Sequence, residues 1–123
     1  MAAVVCVIGS SNTDMVIKGD KLPAPGETVL GGIFLMNPGG KGANQAVAAA
    51  RLATVATDAD APSTTVTFVA TIGNDMFGRQ ALQQFEQETI RTEFITTDAD
   101  EPSGVAQIGV DNNGENSIMV ASG

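Results

Sequence analysis

Histidine, tryptophan and tyrosine are absent from the 123 residues, and there is a single cysteine, Cys6. Each absence removes a class of chemistry. Zinc sites built from Cys and His, and triads that use a His base, cannot be assembled within this chain. One cysteine cannot close an internal disulfide, and its place in the apolar run of residues 3–8 predicts a small buried core residue. Positive charge is also scarce: six Lys and Arg stand against fourteen Asp and Glu, for a formal charge of −8. No Lys/Arg cluster exists to hold a phosphate backbone or an anionic bilayer, which excludes nucleic-acid and membrane-surface partners. No apolar stretch approaches the roughly 20 residues of a membrane-spanning helix. The N-terminus enters a strand-like run without a basic n-region or cleavage signal. A soluble, cytoplasmic protein is the expectation.

With 43% hydrophobic residues the chain has material for a core, and that core must come from Val, Ile, Leu, Ala, Met and five Phe. Its length suits one small domain or a piece of a larger one. Residues 3–8 are continuously apolar and β-branched before Gly9, the pattern of a strand buried on both faces of a parallel sheet. Pro23-Ala24-Pro25-Gly26 predicts a turn, and residues 28–36 a strand with a bulge or close approach at Gly31-Gly32. Ala43, Ala46, Val47, Ala50 and Ala53 recur at helical spacing, predicting a close-packed helix over 42–52. Residues 66–72 predict a second buried strand. Asn74 or Asp75 then caps a helix to about Gln87, with Phe77, Ala81, Leu82 and Phe85 inward. Strand–helix alternation of this kind predicts right-handed βαβ units and an α/β fold.

The character changes after residue 104. Ala106, Ile108 and Val110 alternate with their neighbours, as do Ile118 and Val120, around Asn113-Gly114. That is a hairpin signature, and with residues 28–36 it predicts a small β layer apart from the parallel sheet. It is either a flap over a site or an ordinary edge hairpin. Residues 54–65 predict a solvated loop. The matching strings Thr57-Asp58-Ala59-Asp60 and Thr97-Asp98-Ala99-Asp100 lack the glycine and distal Glu of a calcium loop and predict connectors, with no metal bound.

Two segments have the residue types for ligand chemistry. Asn12 and Asp14 follow the first strand, where α/β proteins place ligands, and their spacing turns both to one side of an extended segment. A carboxylate accepts from hydroxyls while an amide donates and accepts, so the pair suits adjacent hydroxyl groups; a polar turn capped by Asn and Asp is the alternative. Asn37-Pro38-Gly39-Gly40-Lys41-Gly42-Ala43-Asn44 opens the alanine helix with free backbone amides, a cation at Lys41 and a two-way hydrogen bonder at Asn44. It lacks the Ser or Thr and the spacing of a Walker A loop, and Gly9 does not begin a dinucleotide fingerprint. A glycine-rich tight connection beside a packed helix is the weaker alternative.

Gly39-Gly40-Lys41-Gly42-Ala43-Asn44-Gln45-Ala46-Val47-Ala48 resembles the first signature of the ribokinase (PfkB-type) carbohydrate kinases. Residues 9–14, Pro25-Gly26-Glu27-Thr28, Ile72-Gly73-Asn74-Asp75-Met76-Phe77-Gly78 and Gly114-Glu115-Asn116-Ser117-Ile118 are similar to the same family in the same order. The resemblance implies a Rossmann-like α/β fold, here the N-terminal portion over 1–123, with a β-sheet lid at about 15–36 and 104–121 that also mediates dimerisation. It implies that Asn12, Asp14, Gly40, Lys41 and Asn44 hold sugar hydroxyls, with Ala106 and Ile118 packing on the sugar from the lid.

The implied activity is ATP-dependent phosphorylation of D-ribose to D-ribose 5-phosphate, with Mg2+ and K+. The family's second signature, with its Gly-Ala-Gly-Asp catalytic base and anion hole, is expected beyond Gly123, as are the ATP pocket and the ion sites. No catalytic residue is therefore assigned within the chain, and the segment alone is expected to be inactive. Two alternatives stand beside this: a noncatalytic sugar-binding or oligomerisation fragment, and a related kinase for another sugar or nucleoside. The loop at 54–65 is longer than the usual family connection.

Overall fold

The computed structural model describes residues 2–55 and 63–123. Their elements are β1 (Ala3–Ile8), β2 (Asn12–Lys18), β3 (Ile33–Gly39), α1 (Lys41–Val55), β4 (Thr64–Gly73), α2 (Met76–Gln87), β5 (Ile95–Asp98), β6 (Gly104–Val110) and β7 (Asn116–Ala121). They make two sheets. One is parallel, in the order β1-β4-β5, and the other is a four-stranded layer ordered β3-β2-β6-β7. In the second layer β2 runs parallel to β6, while β2–β3 and β6–β7 are antiparallel.

The parallel sheet carries the core. Ala43, Ala46 and Ala50 of α1 are buried against Val7, Val66 and Phe68, and Phe85 of α2 closes the cluster with Ile90. The Phe68 and Phe85 rings meet edge to face at 5.1 Å and 82°, an arrangement their quadrupoles favour. Small side chains on α1 bring its axis close to the sheet, and the approach is tightest at its start. A Cβ on Gly42 would lie 2.6 Å from the carbonyl carbon of Gly9, inside backbone that cannot swing away.

α2 is delimited at both ends. Asp75 is its N-cap, accepting from the Gly78 amide at 2.8 Å. At the C-terminus the Ile90 amide reaches the Phe85 carbonyl (2.9 Å) and the Thr89 amide that of Glu86 (3.0 Å), the paired bonds of a Schellman motif. Buried Ile90 against buried Phe85 supplies its apolar contact. The left-handed position is held by Thr89, at φ 61°, where glycine is the usual occupant. Arg51 of α1 donates to Glu88 at 3.0 Å through Nε, tying the two helices at the surface.

Several expectations need correction. Cys6 is exposed, and so is most of β1, of whose residues only Val7 is buried. β1 lies at the sheet edge, and α1 covers one of its faces. Val4 and Ile8, on the same side as Cys6, are 65% and 77% exposed. The strand expected at 28–36 begins only at Ile33 and runs to Gly39, because Gly31 adopts φ 88° and breaks the extended run. The four-stranded layer, labelled the lid here after the expected scheme, consists of Asn12–Lys18, Ile33–Gly39, Gly104–Val110 and Asn116–Ala121.

α1 extends three residues beyond Leu52 to Val55, displacing part of the loop expected at 54–65. The first Thr-Asp-Ala-Asp string lies outside the described residues. The second is no simple connector: Thr97-Asp98 ends strand β5, which the sequence reading did not anticipate.

Two substitutions test this packing in the intact protein. Gly42→Ala gains less than the roughly 1 kcal/mol of interior helix propensity, since it lies in the first turn, while the backbone clash at Gly9 costs about 2–3 kcal/mol, so urea unfolding should show a net loss of about 1–2 kcal/mol. Thr89→Gly relieves a β-branched residue from the left-handed region at some cost in unfolded-chain entropy; a gain of about 0.5–1 kcal/mol is expected in the same measurement.

Candidate functional site

The two layers meet where the chain passes from one to the other. β1 ends at Ile8, residues 9–11 cross the seam, and β2 begins at Asn12. The chain returns at Gly39 and Gly40 to start α1. These two crossings are fused through the backbone. Ser10 accepts the Ala43 amide at 3.0 Å, and a Cβ on Gly40 would sit 2.6 Å from the Ser10 carbonyl oxygen and 2.9 Å from the Asn12 nitrogen. Gly40 has φ 97°, so both its conformation and its surroundings demand glycine.

Register then arranges the lid side chains. Asn12 pairs with Gly39 on one side and Gly104 on the other; Asp14 pairs with Asn37 and Ala106. Ala106 pairs in turn with Val120, and Ile108 with Ile118. Side chains at paired positions share a face. Asn12, Asp14, Ala106, Ile118 and Val120 therefore line one side of the lid. The Asp14 carboxylate lies directly over Gly39, and the Asn12 amide oxygen over Gly104, each occupying the space a Cβ would need. Glycine at 39 and 104 is what lets these two polar groups lie flat against the sheet.

A hollow of about 330 Å³ opens between this end of the lid and the strand ends of the parallel sheet. Its walls include Ser10, Ser11, Asn12, Thr71, Asp98 and Val120. Asp14, Lys41 and Asn44 are not among them. Lys41 and Asn44 are exposed on the first turn of α1, next to the Gly40 seam, and none of the three ion pairs among the described residues involves Lys41 or Asp14.

The expected site residues thus divide by position. Asn12, Asp14, Ala106 and Ile118 share a lid face, with Gly40 packed beneath the start of β2. Lys41 and Asn44 border that assembly from the helix. Thr71 and Asp98 were missed. Thr71 lies close to the C-terminal end of β4 and Asp98 ends β5, the edge where α/β proteins place ligands, but the brevity of β5 hid it. Asp98 accepts from the Asp100 and Glu101 amides, which hold its carboxyl below the usual range.

A third crossing, between β5 and β6, is tied to α2. The Ser103 amide and hydroxyl both donate to Asp75, at 2.8 Å each, and the same hydroxyl accepts from the Gly73 amide at 3.0 Å. Burial alone would push the Asp75 carboxyl up. Hydrogen bonds from Gly78, Ser103 and Phe77 outweigh it and hold the group below its ordinary value, ionised at neutral pH. On the opposite lid face residues 19–32 arch over a second hollow of about 660 Å³, with Met15, Ile17, Leu22, Phe34 and Met119 in its walls. Among the described residues no group of three or more Asp, Glu or Cys converges as a metal site, and no helix is long and apolar enough to cross a membrane.

Comparison with known proteins agrees with this architecture. Mouse ribokinase is 41% identical over 122 residues, covering 99% of this chain and 35% of that protein. The structure of ribokinase from Giardia lamblia superposes with a TM-score of 0.82 at 32% identity, covering 98% of this chain and 33% of that one. That of Arabidopsis thaliana ribokinase, complexed with ribose and ATP, gives 0.79 at 28% identity, over 98% and 36%. The chain spans about a third of the length of these relatives. Residues 2–123 match the profile of the pfkB family carbohydrate kinase, and with that match the chain belongs to the pfkB family of carbohydrate kinases.

Proposed function

We propose that this segment is the sugar-gripping part of an ATP-dependent kinase that converts D-ribose to D-ribose 5-phosphate in the cytoplasm. The observation that carries the reading is the pair of polar groups, Asn12 and Asp14, laid against glycine on the lid face beside the Gly40 seam. A carboxylate there accepts hydrogen bonds from two neighbouring hydroxyls, and an amide beside it donates to one oxygen and accepts from another. Gly40 packs against the Ser10 and Asn12 backbone and so fixes the seam beside this pair, and Lys41 and Asn44 supply further donors from the first turn of α1. Ala106 and Ile118 give the same face an apolar surface that packs on the sugar and limits water, the competing acceptor for the phosphoryl group.

The chemistry of transfer is assigned to the remainder of the protein. The sites for Mg2+ and K+ are assigned to that remainder as well, and no residue of this segment is given to either ion. ATP supplies the phosphoryl group; what this segment contributes is binding and orientation of the acceptor hydroxyl. In the domain scheme that follows, 1–123 forms the N-terminal βαβ units and lid of one larger kinase domain. The exposed side of β1, with Val4, Cys6 and Ile8, is then the face covered by that remainder. The apolar far face of the lid, with Ile17, Phe34 and Met119 each more than half exposed, is the surface through which two copies pair.

The test uses the intact protein, with ADP release measured for ribose, fructose and adenosine. Ribose-dependent turnover is expected. Asp14→Asn should raise the KM for ribose roughly 10- to 100-fold, the loss of a charge-assisted hydrogen bond of about 1.5–3 kcal/mol. Turnover independent of sugar, or indifferent to Asp14, defeats the assignment; a preference for fructose or adenosine redirects it to a sibling kinase.

A further inference from the structure

The three crossings between core and lid are built differently. The first two, at residues 9–11 and 39–40, are held by backbone contact around Gly9, Gly40 and Gly42. The third, at 99–103, is held by side chains. Ser103 stands immediately before β6, and its hydroxyl is saturated from both sides: it donates to Asp75 and accepts from the Gly73 amide. Asp75 itself takes two bonds from Ser103 and further ones from the α2 amides of Gly78 and Phe77. One carboxylate therefore joins the start of α2, and through Ser103 the end of β4, to the root of β6. No slack remains in this knot: a Cβ on Gly78 would overlap the Gly73 carbonyl, and one on Gly73 the Ser103 amide.

The next residue after the knot is Gly104, which is buried, pairs with Asn12 and carries the Asn12 amide oxygen against its Cα. A shift of Ser103 is thus passed through one peptide to the surface on which the Asn12 side chain rests. We propose that Asp75 and Ser103 are positioning residues for the acceptor sugar: they fix the height of β6 against the core and thereby the orientation of the Asn12 amide. Neither touches the sugar. This rests on the sugar-kinase reading above for its ligand, but the mechanical link from Asp75 to Asn12 does not depend on which polyol is bound.

The experiment compares Ser103→Ala, which removes both hydroxyl bonds, with Ser103→Thr, which keeps the hydroxyl, in the intact protein. For Ser103→Ala the KM for ribose should rise roughly tenfold with kcat within about twofold and the KM for ATP unmoved, and Ser103→Thr should restore the sugar KM. Amide hydrogen exchange at Asn12 and Gly104, measured without ligand, should quicken in Ser103→Ala and return in Ser103→Thr. A lowered Tm with an unchanged sugar KM marks the pair as a structural cap alone and overturns the proposal, as does a KM rise that threonine does not reverse. If the wild-type protein turns over no ribose, the sugar assignment fails, and the positioning link is judged by the exchange rates: unchanged rates at Asn12 and Gly104 overturn it.

Discussion

The backbone of Gly42 touching the backbone of Gly9 sets the distance on which the rest of the arrangement depends. With any side chain at 42, α1 would stand off from the end of β1. The Ala43 amide would then lose the Ser10 carbonyl, and the turn that carries Asn12 into the lid would no longer be anchored. The alanine stripe of α1 continues the same logic along the helix: Ala46 and Ala50 keep it close to Val66 and Phe68. The glycines that admit the helix also bring its first turn against the backbone of residues 9–12, so one close approach sets both the packing of α1 and the start of β2.

From this seam outward, rigidity is distributed unevenly. Phe68, Phe85 and Ile90 form a tight cluster beneath the parallel sheet, with α2 delimited by a side-chain cap at one end and a Schellman motif at the other. The lid has little buried apolar area of its own. Ala106 is its one buried apolar residue, and large side chains on both faces are exposed. What holds the lid in place is therefore its attachments to the core rather than its interior, which gives the hydrogen bonds around Ser103 an influence beyond their number.

Periodicity revealed those parts of the molecule whose environment lies within the segment. α1 was legible because alanines recur on one stripe that faces β4. The start of α2 was legible because Asp75 is a residue type that caps, and the β6–β7 hairpin because its alternation brackets an Asn-Gly signal. Asn12 and Asp14 were readable as a same-side pair, since an extended backbone repeats every second residue. The failures have separate causes. Cys6, Val4 and Ile8 are apolar as if buried, yet nothing among the described residues covers them. β5 has only four residues, two of them threonines exposed to solvent, and gave no periodic signal. Thr71 and Asp98 became visible as hollow-lining groups only once the strand order was known, because their proximity to Asn12 is created by sheet topology and not by spacing along the chain.

The lid's pairing scheme mixes local and long-range contacts. β6 and β7 meet across a short loop and β2 and β3 across residues 19–32, so each hairpin can form from nearby chain. The parallel seam between β2 and β6 joins residues about ninety positions apart, and it closes only after α1, β4, α2 and β5 have been threaded between them. On a ribosome, the first hairpin emerges early and waits without its partner while the core is made. The surface that carries Asn12 and Asp14 thus depends on two local hairpins joined by one long-range seam, and it cannot be completed until β6 has been made.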